Sequence, residues 1–379
     1  MQANHEVADI LRRNHHELEQ LIANRWKRRT LYAIEHCRTA ALGGHIDQCL
    51  NKTCNRTHIS YNSCRNRHCP KCQGHKRHRW ILARENELIN TAYYHLVFTL
   101  PSELNKLTFA NQKQVYSILF KTVWSVIRDF AANPKFIGGK TGMISILHTW
   151  GQNLSFHPHL HCIVPGGGIN RNKKWRDAKG KGKYLFPVKA ISKVFRARFT
   201  EQIRLHFNLD QALYKALFQK SWVVYCKRPF FGPKQVIEYL GRYTHKVAIS
   251  NHRLIDISGG KVTFMAKDYR QNGKKQPVSL TDAEFIRRFS FHILPKGFTR
   301  IRHYGILSSS IKGDILPILH QQLGLIIIAS KQEQSKHRIC PSCQKGELFI
   351  IRYFDNRGPP KNMKALDGSI IQAMKKIKS

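Results

Sequence analysis

The sequence predicts an α+β protein whose central, largely antiparallel sheet is flanked by helices, with an N-terminal cysteine-rich module and a helical, basic C-terminal region. Strand-like and helix-like segments follow one another without a repeating βαβ order, which favours α+β. Six of the ten cysteines lie between Cys37 and Cys72, ahead of the predicted sheet. From residue 311 onward the pattern turns helical and ends in a lysine-rich tail. We therefore expect domains at residues 1–90, 91–310 and 311–379.

The first elements are helices, followed by a strand and a long helix. Residues 1–35 read as amphipathic helix and include the basic run Arg25–Arg29. Tyr93–Leu100 is rich in β-branched and aromatic residues and stops at a proline, which predicts a strand. Apolar residues recur with helical spacing from Gln112 to Ala131, so a helix is expected there.

Two strands and a basic loop come next. Met143–Trp150 and His159–Val164 read as strands separated by a short polar turn. The triplet Gly166–Gly168 breaks the second strand, because three glycines in a row weaken sheet pairing. Lysines and arginines dominate residues 171–183, which predicts a mobile basic loop.

The rest of the central region predicts two helices and several further strands. We expect helices between Ala190 and Lys220 and a strand at Ser221–Cys226. Pro233 is well placed to open a helix that continues to Tyr243. Strand-like pieces at residues 246–257, 261–267 and 276–280 complete this region.

Composition excludes some classes of protein and favours nucleic acid as a partner. The 379 residues include 64 Lys+Arg against 23 Asp+Glu, a formal net charge of +41. Hydrophobic residues make up 42% of the chain, enough to form a core, so a disordered basic tail is excluded. A charge this far from zero repels itself, and we therefore expect a polyanionic partner.

Membrane insertion and secretion are not expected. The apolar stretch Leu323–Ala329 is far shorter than the roughly 20 residues that cross a bilayer. The first residues contain no apolar segment of the kind that begins a secretion signal. We expect a cytoplasmic protein, where thiols stay reduced and clustered cysteines are more often metal ligands than disulfides.

The cysteine-rich segment predicts zinc. The candidate ligands are Cys37, His45, Cys49, Cys54, Cys64, His68, Cys69 and Cys72. Cys69 and Cys72 form a C-x2-C knuckle, whose spacing lets two thiolates occupy two vertices of a tetrahedron. We expect one closed site, formed by Cys49, Cys54, Cys69 and Cys72. The other four residues either form a second site or are in part bystanders.

A second knuckle lies near the C-terminal end. Cys340 and Cys343 have the C-x2-C spacing, but no cysteine follows them. By themselves they are half a zinc site, which His337 or another distant residue would have to complete.

Basic residues crowd around the predicted zinc module. No acidic residue lies between Asp47 and Glu85. The cations in this stretch that we take as candidate phosphate contacts are Arg65, Arg67, Lys71 and Arg77.

A second candidate metal site lies on the strand predicted at His159–Val164. His159 and His161 are two residues apart, so in an extended segment their imidazoles point to the same face. A hairpin would bring Gln152 beside them as an oxygen ligand, with His157 as the rival third ligand. Neutral ligands would leave a bound Mg²⁺ or Mn²⁺ its full charge for polarising a phosphate oxygen. Taken alone, the pair is more often two ordinary surface histidines.

A pair of tyrosines completes the candidate chemistry. Tyr239 and Tyr243 are four residues apart and would share one face of a helix. A phenol, with a pKa of about 10, is a poor nucleophile until cations stabilise its phenolate. Arg242 and Lys246 are candidates to position phosphates. By itself the tyrosine pair is weak evidence, and core packing would be the default explanation.

Together these segments resemble the HUH-tyrosine transposases of the insertion-sequence 91 family, which move DNA by a rolling-circle route. The resemblance covers nearly the whole chain. The segments that carry it run from Ser63 to Cys72, from His157 to Cys162 and on into the glycine triplet, and from Tyr239 to His245. The spacing of Cys49 and Cys54 departs from the shorter knuckle expected of relatives, which puts the zinc partition in doubt.

The resemblance implies an HUH endonuclease-like fold with the H-x-H strand in the middle of the sheet. It implies that His159 and His161 hold Mg²⁺ or Mn²⁺, and that Tyr239 and Tyr243 are the paired tyrosines of the two-tyrosine subclass. The implied activity nicks and rejoins single-stranded DNA through a 5′-phosphotyrosine, in a prokaryotic, nucleoid-associated protein. The alternatives are a plasmid replication initiator or relaxase with the same chemistry, and a non-catalytic zinc-dependent DNA-binding protein.

Overall fold

The computed structural model describes most of the chain. The described residues are 3–72, 80, 81, 84, 87–180, 184–230, 235, 236, 241, 246–268, 271–325 and 338–360. The chain forms two compact units, and we call Met1–Gln73 with Ala329–Ser379 the terminal unit and Gly74–Ile328 the central unit. Within the described residues, no helix is both long and apolar enough to span a bilayer.

Helices and strands are numbered here in chain order. The helices are α1 Val7–Arg13, α2 Leu18–Leu21, α3 Arg25–Glu35, α4 Asn105–Ala110, α5 Gln112–Ala132, α6 Val188–His206, α7 Gln211–Gln219, α8 Asp282–Phe291 and α9 Lys312–Leu323. The strands are β1 Gly44–Cys49, β2 Thr57–Tyr61, β3 Tyr93–Thr99, β4 Gly142–Trp150, β5 Phe156–Pro165, β6 Gly167–Ile169, β7 Trp175–Asp177, β8 Val224–Phe230, β9 Leu254–Asp256, β10 Lys261–Asp268, β11 Lys274–Thr281, β12 Ile301–Gly305 and β13 Leu348–Phe354.

The terminal unit combines helices α1–α3 with a three-stranded antiparallel sheet of order β13-β1-β2. A capping box opens α1, in which the Glu6 backbone N–H donates to Asp9 at 2.8 Å. Leu11 and Ile34 are buried between the helices. In the sheet, β13 pairs with β1 from Gly44 opposite Phe354 to Cys49 opposite Leu348.

The C-terminal part of the chain is therefore organised differently from the predicted third domain. Helix α9 belongs to the central unit, whereas β13 belongs to the terminal unit. The sequence of β13, LFIIRYF, is rich in β-branched and aromatic residues and pairs as a strand instead of continuing a helix. Residues 361–379, with the lysine tail, lie outside the described part.

The central unit is built on a five-stranded antiparallel sheet of order β12-β4-β5-β3-β8. This confirms the predicted α+β class, and the H-x-H strand β5 lies in the middle. Alternate residues of β5 point to opposite faces. Leu160 and Val164 pack in the large core with residues of α5 and α6, such as Val123 and Phe195.

The opposite face of the same sheet has a smaller apolar core. Ile146 and Ile163 pack there with Val236 and with Leu319 of α9. Because His161 is two residues before Ile163, its imidazole lies on this second face. Helices α5 and α6 therefore pack on one face of the sheet, and the imidazole of His161 lies on the other.

Most predicted elements of the central unit are present within a few residues of their expected bounds. The strand expected at 246–257 is shorter, covering only β9. The basic loop at 171–183 contains β7, which pairs with β6 as a small hairpin, so the glycine triplet contributes to a strand. Most of the helix expected from Pro233 to Tyr243 lies outside the described residues.

Candidate active site and metal centres

Three histidines converge on the face of the central sheet that also carries the smaller apolar core. His159 and His161 come from β5, and His148 of β4 lies directly opposite His159 in the strand register. One nitrogen from each ring lies within 4.8 Å of the others, close enough to hold one metal ion. His148 is missing from the sequence predictions, because a lone histidine in an apolar strand reads as a core residue. The sequence did contain a signal, because His148 shares a strand face with Ile146 and Trp150, which are two residues away on either side.

Hydrogen bonds orient two of the three rings. Nδ1 of His159 donates to the carbonyl oxygen of His157 at 2.7 Å, which leaves Nε2 as the free lone pair. Nδ1 of His161 lies 2.9 Å from Nε2 of the buried His95, and the two rings stack 5.1 Å apart. Such bonds fix the tautomer of metal-binding histidines. His95 is therefore a second residue that sequence reasoning missed.

The separation of two of the ring nitrogens suits a shared ion. Nε2 of His159 lies 3.2 Å from Nε2 of His161. Neighbouring ligands of an octahedral ion at about 2.1 Å are about 3 Å apart. The donor set therefore fits a divalent cation.

Burial keeps these imidazoles neutral. Desolvation lowers the pKa of His159 to about 4, helped by the nearby charges of His157 and Lys246. Desolvation also holds the pKa of His161 well below its usual range, and the neighbouring His159 and His95 act in the same direction. At neutral pH both rings are ready to bind a metal without first losing a proton.

The histidines open into a cavity of about 750 Å³. Gln152, His157 and Lys246, all predicted from the sequence, line it. The facing wall comes from the small antiparallel sheet β9–β11 and from α8, through Ala266, Lys267, Asp268, Gln276, Val278 and Arg288. Gln152 as a metal ligand stays a prediction.

Three cations, Lys246, Lys267 and Arg288, line the cavity, and Arg300 lies next to Lys246. The Arg300 guanidinium donates to the carbonyl oxygen of Lys246 at 2.8 Å and lies 5.4 Å from the ring centre of Trp150. Burial lowers the pKa of Lys246, and the charges of Arg253 and Lys267 lower it further. An anion bound beside Lys246 would relieve this repulsion.

The predicted nucleophiles Tyr239 and Tyr243 lie outside the described residues, as does Arg242. The described residues Val236 and Lys246, which precede and follow the two tyrosines in sequence, both lie on the face of the sheet that carries the three histidines. Val236 is buried in the smaller apolar core, and Lys246 lines the histidine cavity.

The first thiol cluster is formed by Cys37, Cys64, Cys69 and Cys72, and all four sulfurs lie within 4.8 Å of one another. Sγ of Cys72 lies 3.5 Å from that of Cys37 and 3.7 Å from that of Cys64. A tetrahedral zinc with Zn–S bonds of about 2.3 Å places its sulfurs about 3.8 Å apart. We call this group quartet 1.

The second thiol cluster, quartet 2, combines two cysteines from the N-terminal part of the chain with two from the C-terminal part. It consists of Cys49, Cys54, Cys340 and Cys343, again within 4.8 Å of one another. The predicted partition of the zinc ligands is therefore wrong, because strand pairing between β1 and β13 brings the distant knuckle to Cys49 and Cys54. The sequence-adjacent knuckle Cys69–Cys72 pairs instead with Cys37 and Cys64.

Neither predicted histidine belongs to a thiol quartet. His45 lies on β1 with its Nε2 3.4 Å from a carboxylate oxygen of Asp47. The backbone N–H of His68 donates to Asn66 at 2.9 Å, within the turn that carries quartet 1. His337 lies outside the described residues.

The predicted DNA-contacting cations differ in their surroundings. Lys71 donates to the carbonyl oxygen of Cys37 at 3.3 Å and pairs with Glu6 at 2.5 Å, so it supports the fold around quartet 1. Arg67 is half-buried, and desolvation lowers its pKa. Arg65 is exposed. Arg77 lies outside the described residues.

Comparisons with known proteins agree with this architecture. Residues 142–314 match the family described as "Putative transposase", and residues 10–100 match "Transposase zinc-binding domain". The first match spans the three histidines and both tyrosines, and the second spans quartet 1. No solved structure matches the chain.

Two curated relatives are similar over most of their length. "Putative transposase y4qJ" of Sinorhizobium fredii is 41% identical, covering 94% of this chain and 97% of the relative. "Transposase for insertion sequence element IS801" of Pseudomonas savastanoi pv. phaseolicola is 28% identical, covering 76% of this chain and 72% of the relative.

The two family matches, with the thiol clusters and the histidine cavity, define a transposase that has a zinc-binding domain. Transposases act on DNA, which agrees with the net charge of +41. The chain belongs to the insertion sequence 91 (IS91) family of transposases.

Proposed function

We propose that this transposase nicks and rejoins single-stranded DNA through a 5′-phosphotyrosine formed by Tyr239 or Tyr243, and so supports rolling-circle transposition. The observation that carries the proposal is the convergence of His148, His159 and His161 on a basic cavity. Lys246 lines the same cavity, and it follows Tyr243 by three residues. Three extended residues span at most about 11 Å, which supports a shared site.

The three imidazoles would hold a divalent ion, with the Gln152 amide as a candidate further ligand. Imidazole nitrogen is a softer donor than the oxygen ligands that Mg²⁺ prefers, so the set favours Mn²⁺ of the two predicted ions. When bound, such an ion supplies positive charge to a non-bridging oxygen of the scissile phosphate.

The protein's own groups account for the rest of the chemistry. The phenol gives up its proton to solvent and its oxygen attacks phosphorus. The new O–P bond forms while the bond to the 3′ oxygen breaks, and that oxygen takes up a proton from solvent to leave a free 3′-OH. Lys246 and Lys267 supply positive charge that stabilises the phenolate and the five-coordinate phosphorus of the transition state. Because the phosphodiester energy is kept in the tyrosine link, attack by a 3′-OH rejoins a strand without ATP. The second tyrosine would serve the next cleavage.

The zinc-containing terminal unit would bind DNA through its exposed cations. Arg65 follows Cys64 of quartet 1 and is exposed. Its backbone is in the left-handed region, with φ of 51°, so the turn that holds the quartet also sets the direction of its side chain. Contacts of this kind are made to phosphate and weaken with salt.

The test is covalent capture. The full-length protein is incubated with Mn²⁺ and labelled single-stranded DNA from the ends of its element, and products are separated on a denaturing gel. We expect a protein–DNA adduct that is lost in the double variant Tyr239→Phe/Tyr243→Phe. An undiminished adduct in that variant refutes the assignment of the nucleophiles. Absence of any adduct from the wild type would favour the non-catalytic DNA-binding alternative.

The relatives favour transposition over plasmid replication with the same chemistry, since both are named as transposases. The two activities differ in substrate. A transposase joins two element ends, so a product containing both ends is expected from a mixture of the two oligonucleotides.

A further inference from the structure

Only half of quartet 2 lies within the residues that the two family matches cover. Cys49 and Cys54 lie within the zinc-binding match at residues 10–100, but Cys340 and Cys343 lie beyond the second match, which ends at residue 314. We propose that quartet 2 is a second zinc centre that closes the terminal unit, and that the C-terminal knuckle is thus an integral part of this chain's zinc-binding domain.

The sulfur positions are those of a tetrahedral thiolate site. Sγ of Cys49 lies 3.7 Å from that of Cys343, and Sγ of Cys54 lies 3.8 Å from that of Cys340. Both distances match the separation of about 3.8 Å expected around zinc with Zn–S bonds of about 2.3 Å. Disulfide-bonded sulfurs are about 2.05 Å apart, so these pairs are not disulfides. Four sulfur ligands with no oxygen donor favour zinc over magnesium, calcium or manganese.

Backbone donors are directed at the sulfurs, as a thiolate requires. The N–H of Gly346 donates to Sγ of Cys343 at 3.2 Å, and that of Asn51 donates to Sγ of Cys49 at 3.4 Å. Nε2 of His58 lies 3.3 Å from Sγ of Cys340. Hydrogen bonds to ligand atoms orient them and stabilise their charged form.

A glycine gives the site its close packing. A methyl group at Gly346 would overlap the sulfur of Cys49 and crowd the backbone of Asn51. The absence of a side chain at this position is what lets the knuckle approach Cys49. The site is therefore shaped for four converging thiolates, which release their protons when the ion binds.

A zinc ion at quartet 2 would join two segments that are far apart in the sequence. Cys54 and Cys340 are 286 residues apart, and the whole central unit lies between them in sequence. The same contact continues into the β1–β13 ladder through the bond from the Leu50 N–H to the Glu347 carbonyl oxygen at 2.8 Å. Within the knuckle itself, the Cys340 N–H donates to the Gly346 carbonyl oxygen at 2.7 Å. Zinc would fix the first residues of this ladder. Without zinc, β13 would keep only its strand pairing.

The experiment measures zinc content of the full-length protein by mass spectrometry of the metal. Cys340→Ser/Cys343→Ser and Gly346→Ala are each expected to contain one zinc per chain fewer than the wild type. Two matched controls should keep the wild-type content. Cys226→Ser removes a thiol outside both quartets, and Gly313→Ala adds a methyl group where no atom lies within 4 Å.

A second measurement on the wild type does not depend on how the variants fold. Iodoacetamide labelling followed by peptide mass spectrometry should find Cys340 and Cys343 protected, and a chelator should expose both to alkylation. Chelation should also release a C-terminal fragment earlier in limited proteolysis. Unchanged zinc content in Cys340→Ser/Cys343→Ser, or equal labelling of these two thiols with and without chelator, would overturn the proposal.

Discussion

His95 offers a specific test of how the histidine site is held. Its Nε2 lies 2.9 Å from Nδ1 of His161, and both rings are buried. If Nδ1 of His161 donates to Nε2 of His95 when the metal is bound, Nε2 of His161 is left for the ion. His95→Ala removes this partner, so the orientation and tautomer of the His161 imidazole are held less firmly.

Loss of such an outer partner costs about 10- to 100-fold in metal affinity, which corresponds to about 1.4–2.8 kcal/mol. The cost of leaving one buried donor unsatisfied, about 1–3 kcal/mol, covers the same range. We therefore expect His95→Ala to weaken Mn²⁺ binding by about 10- to 100-fold, measured by isothermal titration calorimetry.

Two control variants separate positioning from general damage. His95→Gln keeps a hydrogen-bonding group at this position, so we expect it to recover part of the affinity. His320→Gln alters a histidine of the same unit that bonds to the carbonyl oxygen of Leu88 at 2.9 Å and does not line the cavity. Thermal unfolding checks that each variant is folded. A folded His95→Ala protein that binds Mn²⁺ as tightly as the wild type would refute the reasoning.

Further predictions concern pH, a surface ion pair and DNA binding. Because the pKa of His159 is lowered to about 4, protons should compete poorly for the site, and Mn²⁺ affinity should change little between pH 8 and about 6; a steep loss over that range in calorimetry would contradict the burial of the ring. Hydrogen bonds from Arg287, then from Arg288, lower the pKa of Glu284 to about 2. A depressed carboxyl pKa stabilises the fold above the unfolded value of about 4.3 and ceases to do so as pH falls through the folded value. Glu284→Gln should therefore cost about 1–2 kcal/mol in urea unfolding at pH 7 and almost nothing near pH 2, and an equal cost at both pH values would be contrary to this. Lys246→Ala should weaken binding to single-stranded DNA and lower the slope of log affinity against log salt by about 0.7, and an unchanged slope would exclude a phosphate contact.

Local sequence patterns were sufficient to predict most of the central unit. Alternation and β-branched content identify β3, β4 and β5, and helical spacing identifies α5, because these signals are carried by neighbouring residues. The H-x-H pair was recognisable for the same reason, since its two imidazoles share a face by strand geometry alone.

Contacts between distant segments could not be predicted in this way. His148 joins the site only through the β4–β5 register, which places it opposite His159. The ligands of quartet 2 meet because β13 pairs with β1, and no local pattern relates Cys49 to Cys343. Cysteines close in sequence were assumed to share an ion, whereas the fold distributes them between two clusters.

The central claim, that the phenols and the histidines share one metal-dependent site, can be tested by distance. Fluorotyrosine is incorporated at all 13 tyrosines of the full-length protein, and Tyr239→Phe and Tyr243→Phe identify the two ¹⁹F resonances of interest. We predict that Mn²⁺, which is paramagnetic, broadens both resonances in the wild type, that Mg²⁺ does not, and that His159→Ala/His161→Ala abolishes the effect. Sharp, unshifted Tyr239 and Tyr243 resonances in protein saturated with Mn²⁺ would contradict the account.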